Sequence, residues 1–481
     1  MEDNQQNRGK KFVRDLGIYA VGNLGSKLIT FLLVPLYTYF IAEADYGYYD
    51  LCLTVIFMMS PLVSMQLFDG SYRFLMDTVA GDPEGERQRK AIVTFVYKAL
   101  VCNTLIAIAL VWLFGTVRNL DYLGYFIVLF AVITFYDVII RIVRGMGHTK
   151  RFVAAGIISA FAIGLFSVIF VAIMGLGVEG IFLANIAGRV AAILYLELRC
   201  AVLRKYFRWS CVDKTIIKGL LKYSLPLVPG SICWWLVESN NKFFIEHFLG
   251  LDQNGVFAVA LKFASVLQVV AFIFYQAWQE NAIQQYNSPD RDSFFTKVFN
   301  NYVYLLSALV LTFPFAIKMC YGWLVAPNYA SSGQYLYLLA MSAMTFSLAA
   351  FFDMGYQCAK NTARALPGVV LAALINFVGN YLLIGPLQVY GVVICSTATY
   401  FILYIYRAID TRRYFKIGIR PKTIIIAVVV VANAFIFQYL SSVPVIAAYL
   451  TAEIILLWYF APEDIKEPVA RKLHLPCKRQ E

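Results

Sequence analysis

Phe40-Ile-Ala-Glu-Ala-Asp-Tyr-Gly47 closes one long apolar run and opens the next, and Phe248-Leu-Gly-Leu-Asp-Gln-Asn-Gly255 does the same farther along. The offset is 208 residues, from Gly47 to Gly255, and the same offset sets Gly22 on Gly230. Glycine is common in short gaps between apolar helices, so one match alone would mean little. The aligned Phe40 and Phe248 together with two aligned glycines favour an internal duplication. A second echo links Gly147-His148-Thr149-Lys150-Arg151 with Lys360-Asn361-Thr362-Ala363-Arg364, each following the fourth apolar run of its half.

These runs are the dominant feature of the chain. Hydrophobic residues make up 60% of it, against ~45–50% in soluble globular proteins, and the mean hydropathy is +0.67. A helix needs ~20 mostly apolar residues to cross the hydrocarbon of a bilayer. By that measure about fourteen spans lie between residues 13 and 461. The gaps between them alternate in charge. Arg8, Lys10, Lys11 and Arg14 precede the first span, and Arg87, Arg89 and Lys90 precede the third. Arg144, Lys150 and Arg151 follow the fourth, then Arg204, Lys205 and Arg208, later Arg407, Arg412, Arg413 and Lys416, and finally Arg471 and Lys472 in the tail. The intervening gaps, such as Ile41–Asp45 and Gly175–Val178, are short and poor in cations. This is the positive-inside pattern, and it places both termini in the cytoplasm with an even number of spans.

The same pattern accounts for the formal net charge of +12 and argues against nucleic acid as a partner. Nine cysteines form no CxxC pair; Cys52, Cys102, Cys233, Cys320 and Cys395 lie in apolar runs and read as small packing residues. His148, His247 and His474 are too scattered for a metal site. Phe12–Phe40 is too long for a cleaved signal peptide and reads as the first permanent span.

The expected architecture is all-α and integral to the membrane: two pseudo-symmetric six-helix lobes plus two C-terminal helices. Residues 1–199 form the N-terminal lobe, 200–221 a basic cytoplasmic linker, and 222–409 the C-terminal lobe. Residues 410–461 carry two extra spans and 462–481 a cytoplasmic tail. Each half begins on the same side of the membrane, the parallel-repeat arrangement of several transporter folds.

Tyr19-Ala-Val-Gly22-Asn23, Pro35-Leu-Tyr37 and Tyr46-Gly47-Tyr48-Tyr49 resemble the polysaccharide flippases. These form the Wzx, or polysaccharide-transporter, branch of the superfamily that also holds the multidrug and toxin extrusion (MATE) transporters and the lipid II flippase MurJ. The likeness covers essentially the whole chain through its span count and duplicated halves. It implies two lobes around a central cavity, alternating access, and residence in the bacterial cytoplasmic membrane. The implied setting is lipopolysaccharide O-antigen or capsule synthesis, beside a polysaccharide polymerase and glycosyltransferases.

A charge at the bilayer centre costs at least ~2.5–3.5 kcal/mol, so embedded ionisable residues are the candidates for function. Lys27 lies near the middle of the first span, and Tyr19, Asn23, Lys27 and Thr30 share one helical stripe. Glu238 and Lys242 sit four apart in the seventh span, spaced to neutralise one another or to serve the cavity. Lys262, on one stripe with Ser265, and Gln276 follow in the eighth. Asp69 and Arg73, also four apart, read as an interfacial pair or as cavity residues. Asp137, Arg141 and Arg144 share a face near the cytoplasm and suit anchoring. Glu179, Arg189, Glu197, Asn376 and Asn380 complete the embedded set, part of which must be helix packing. Asn23, Lys27, Arg73, Lys242, Lys262 and Gln276 are therefore the expected cargo-binding residues. Asp50, Glu238 and Asp353 are the carboxylates available to couple H+ or Na+.

No GxSxG elbow, HExxH or P-loop is present, and the embedded positions hold no histidine, so neither an enzyme nor a cofactor is expected. A lipid-linked oligosaccharide (a polyprenyl pyrophosphate) fits the cations, because its anionic head is drawn to Lys and Arg. Extruders of organic cations need carboxylates instead, and no Asp or Glu lies between Gly17 and Phe40. An ion-coupled small-molecule antiporter of the same architecture is the alternative.

Overall fold

A computed structural model describes residues 29, 31–78, 81–209, 213–359, 361–462 and 466. Among them every regular element is a helix. The chain divides into two compact units, 1–255 and 256–481. The sequence placed the lobe boundary at the basic linker 200–221; the packing division falls one span later.

The first unit comprises α1 (Phe31–Phe40), α2 (Glu43–Val63), α3 (Leu67–Met76), α4 (Pro83–Arg118), α5 (Leu123–Gly145) and α6 (Thr149–Ser167). It continues with α7 (Gly177–Cys200), α8 (Val202–Tyr206), α9 (Lys214–Ser224), α10 (Leu227–Leu249) and the first turn of α11 (Leu251–Gln285). Pro61 lies in the last turn of α2, where it can give no N–H to the turn before it. Met65 and Gln66 then take left-handed backbone before α3 begins. Asn103 Nδ2 donates to the Val63 carbonyl at 2.9 Å, supplying a partner at this break. The core of this unit joins α3, α4, α5, α7, α8 and α9 through Leu67, Val93, Val138, Leu196, Val202 and Leu220.

The two repeat glycines meet here. A Cβ on Gly47 would lie 2.1 Å from the Leu251 carbonyl oxygen, and one on Gly255 would lie 2.0 Å from that of Glu43. Glu43 and Leu251 are themselves 208 apart, so the contact is reciprocal under the offset read from the sequence. Only glycine lets the helix backbones approach this closely. Asn254, fully buried, donates to the Gly47 carbonyl at 2.8 Å.

The second unit holds the rest of α11, then α12 (Arg291–Leu324), α13 (Leu336–Cys358), α14 (Leu366–Asp410), α15 (Pro421–Tyr439) and α16 (Val443–Phe460). α14 is two helices joined at Gln388, whose φ of 51° breaks the ladder just after Pro386. α15 and α16 pack on α12: Tyr304 donates to the Leu457 carbonyl and Phe315 meets Phe437 edge-on at 5.1 Å.

Eleven helices among the described residues are long and apolar enough to cross a membrane. α14 spans two of the expected crossings, while α1 is shorter and α10 carries a polar stretch, Glu238–Lys242. The total is compatible with fourteen. The protein is a multi-pass membrane protein.

Candidate functional site

Among the described residues, each unit holds an ion pair that joins two helices and is largely enclosed. In the first, Lys242 Nζ on α10 lies 2.7 Å from Asp50 Oδ2 on α2. The ammonium also donates to Thr54 Oγ1 at 3.0 Å, and that hydroxyl donates to the Asp50 carbonyl at 2.8 Å. Trp235 Nε1, two turns before Lys242, donates to the Thr54 carbonyl at 3.0 Å. α2 therefore presents Asp50 and Thr54 one turn apart, and α10 presents Trp235 and Lys242 to meet them. Asp50 is almost wholly enclosed, at 7% side-chain exposure, whereas Lys242 retains 17%. Of the two side chains, that of Lys242 is the more exposed.

In the second unit, Asp353 Oδ1 on α13 lies 3.2 Å from Arg407 Nη2 on α14. Arg407 Nη1 donates to the Ala349 carbonyl at 3.1 Å. Gln357 Nε2 donates both to Asp353 Oδ2 and to the Tyr275 hydroxyl, each at 3.0 Å, and Gln279 donates to Gln357 Oε1 at 2.8 Å. Trp278 stacks on Phe351 at 4.4 Å beside this network. Three helices are joined by hydrogen bonds whose donors and acceptors are mutually fixed.

Several expectations are corrected. Asp69 and Arg73 do not pair with each other: Asp69 accepts from Arg141, and Arg73 pairs with Asp77 at 2.6 Å. Both Arg73 and Asp77 are more than half exposed, so Arg73 is a surface cation at a helix end. Arg141 thus has a specific carboxylate partner and lies over the Phe68 ring at 4.7 Å, beyond simple anchoring. Arg407 and Arg89, read as loop cations, are buried. Arg89 binds the Thr78 hydroxyl at 2.8 Å and its carbonyl at 3.1 Å. Lys242 meets Asp50; the side chain of Glu238 lies outside the described residues, as do Lys27, Asn23 and the side chain of Gln276. Lys262 is half-buried on α11, where its carbonyl accepts from Ser265 at 2.7 Å.

One buried carboxylate escaped notice. Glu453 on α16 is 4% exposed and accepts from Asn433 at 3.0 Å, whose own Oδ1 accepts from Tyr449 at 2.6 Å. A lone acid in an apolar run of the last span was the available signal.

The profile of the polysaccharide biosynthesis protein family matches residues 12–278. The chain belongs to this family. Among solved structures, the lipid II flippase MurJ, in an inward closed conformation, is similar with a TM-score of 0.70 at 9% identity, covering 96% of this chain and 100% of that one. An inward-facing multidrug resistance MATE family transporter gives 0.68 at 14% identity, covering 82% of this chain and 97% of that one. An outward-facing MATE structure gives 0.60 at 16% identity, covering 83% and 95%. Comparison with curated protein sequences found no match. This member of the polysaccharide biosynthesis family therefore has the fold shared by the MATE transporters and MurJ.

Proposed function

We propose that the protein carries a polyprenyl-pyrophosphate-linked oligosaccharide from the cytoplasmic to the outer leaflet of a bacterial cytoplasmic membrane by alternating access, with both termini cytoplasmic. The observation that carries this reading is the Lys242–Asp50 pair. The Lys242 side chain on α10 is countered by a single enclosed carboxylate and is itself partly exposed. A pyrophosphate offers more acceptor oxygens and more charge than Asp50, so it competes for Lys242 through charge-assisted hydrogen bonds. Asp50 is then compensated by a coupling cation, H+ or Na+. The family match supports the cargo class. The fold is compatible with an antiporter of small molecules, but an organic cation would be opposed by Lys242.

The hydroxyl-rich head of such a cargo cannot enter hydrocarbon uncompensated, at ~2–7 kcal/mol per buried polar group. A polar path through the protein removes that cost while the polyprenyl tail stays in lipid. An inside-negative potential favours anion exit by ~2.3 kcal/mol per charge per 100 mV. Lys27, Asn23, Lys262 and Gln276 are proposed to line the same path, with Asp353 and Glu238 as further coupling carboxylates.

The test is translocation of a lipid-linked oligosaccharide in proteoliposomes, read as protection from an external glycosidase. Lys242→Ala should slow it at least tenfold and Lys242→Arg should keep most of the rate. Wild-type rates in the alanine variant, or transport of cationic dyes in place of the lipid-linked glycan, overturn the reading.

A further inference from the structure

A second polar feature lies wholly within the first unit. Between the first turns of α5 and α7 is a cleft of about 800 Å³, lined by Asp121, Tyr122, Tyr125, Glu179, Leu183 and Ile186 among others. That volume falls within the ~300–1,000 Å³ of small-ligand sites. Phe182, fully buried, packs behind its tyrosines. Tyr122 and Tyr125 both stack on Phe182, at 6.4 and 6.1 Å with planes 28° and 27° apart, and Tyr49 braces it edge-on at 5.1 Å. Both tyrosine rings are thus held against Phe182 while each stays partly exposed.

The polar edge is equally fixed. Tyr125 donates to Glu179 Oε2 at 3.1 Å, tying α5 to α7. The Tyr48 hydroxyl donates to the Asp121 carbonyl and holds the preceding loop. Tyr122 itself sits in left-handed backbone, φ 54°, a conformation that a bulky residue adopts only when its surroundings impose it. Among the described residues neither Asp121 nor Glu179 has a cation within ion-pair distance. Their remaining lone pairs are open to hydroxyl donors.

We propose that this cleft binds the sugar chain of the cargo. Pyranose rings present an apolar C–H face that suits a tyrosine ring and a rim of hydroxyls that suits carboxylate acceptors. Two carboxylates repel pyrophosphate, so the cleft takes the glycan while the phosphate remains with cations such as Lys242. Both helices begin at cation-poor gaps, Asn119–Tyr122 and Met174–Leu176 apart from Arg118, which places the cleft toward the outer leaflet. There it receives the glycan as it emerges. The inference rests on the flippase reading for its cargo.

The experiment uses the full chain in nanodiscs with neutral oligosaccharides released by mild acid from the producing cell's surface polysaccharide, free of lipid and pyrophosphate. Saturation-transfer NMR should show contact with sugar ring protons. Glu179→Gln, which keeps the side-chain shape, should weaken the signal at least threefold, and Tyr125→Ala at least tenfold. Absence of signal from wild-type protein that still flips lipid-linked glycan overturns the cleft and leaves the flippase reading standing. Unchanged signal in both variants, or displacement of the sugar by tetraphenylphosphonium, also overturns it. Sugar binding without translocation upholds the cleft and overturns the flippase reading.

Discussion

The two buried ion pairs join similar charges in dissimilar settings. Asp50 and Lys242 meet at 2.7 Å with one hydroxyl, Thr54, as their shared neighbour. Asp353 and Arg407 sit at 3.2 Å inside a lattice that also fixes Ala349, Gln357, Tyr275 and Gln279. Taking charges out of water is costly, and a buried pair recovers that cost only when its remaining donors and acceptors are satisfied. The second pair comes nearer to that condition, with only Arg407 Nε left without a hydrogen-bond partner among the described residues, and reads as a clamp between α13 and α14. The first pair has an ammonium with a donor to spare on a partly exposed side chain. Replaceable partners belong at the first pair, and permanent ones at the second.

The largest expected effect breaks the clamp. Arg407→Ala strands Asp353 and empties the Ala349 carbonyl; removing one partner of a buried pair costs about 3–5 kcal/mol. The upper part of that range is not expected, because Asp353 retains 23% side-chain exposure and some hydration. Purified Arg407→Ala should show a markedly lower Tm and reduced yield, checked by fluorescence size-exclusion melting. A Tm within a degree of wild type would remove the distinction drawn between the two pairs.

Charge reversal sharpens the contrast. Asp50→Lys with Lys242→Asp should regain most of the stability lost by either single change, since the pair depends on few fixed neighbours. Asp353→Arg with Arg407→Asp should not, because a guanidinium at 353 no longer serves the Ala349 carbonyl and Gln357 loses its acceptor. Double-mutant cycles on Tm measure both couplings. The reversed Asp50/Lys242 protein should remain folded yet flip poorly, as the more exposed end is then an anion. A smaller effect belongs to Thr54→Val, which removes a hydroxyl of net worth about 1 kcal/mol. Its Tm should fall slightly while the pair persists.

The membrane fold was legible because hydropathy is a local property: runs of ~20 apolar residues declare themselves without knowledge of partners. The 208-residue offset went further, since Gly47 and Gly255 are in mutual contact. Pairing was not legible. Lys242 has a carboxylate four residues away in sequence and is joined instead to one on α2, because side-chain partners depend on which helix faces meet. Arg407 misled for a related reason: it sits near loop arginines, yet α14 runs on to Asp410 and keeps it inside. The tyrosine cleft was invisible because only the packing of α5 on α7 brings Tyr122 and Tyr125 to Phe182 and Glu179.

The smallest expected effect separates the ion pair from ordinary surface titration. His148 lies between α5 and α6, outside the spans, where partial burial first and then the cations Arg151, Arg89 and Lys205 hold its imidazole below the usual value of 6.5. A depressed value in the folded protein means that the unfolded chain binds the proton more readily. The related stability is complete above pH 6.5 and declines as pH falls through that value toward the folded one. His148 is exposed, so solvent screens the effect and only a shallow slope is expected. Tm should be level from pH 8 to 7 and drop modestly by pH 5.5, with His148→Gln flattening the drop. Asp50→Asn should lower the whole curve and keep its slope. A slope that survives His148→Gln would remove the assignment to His148.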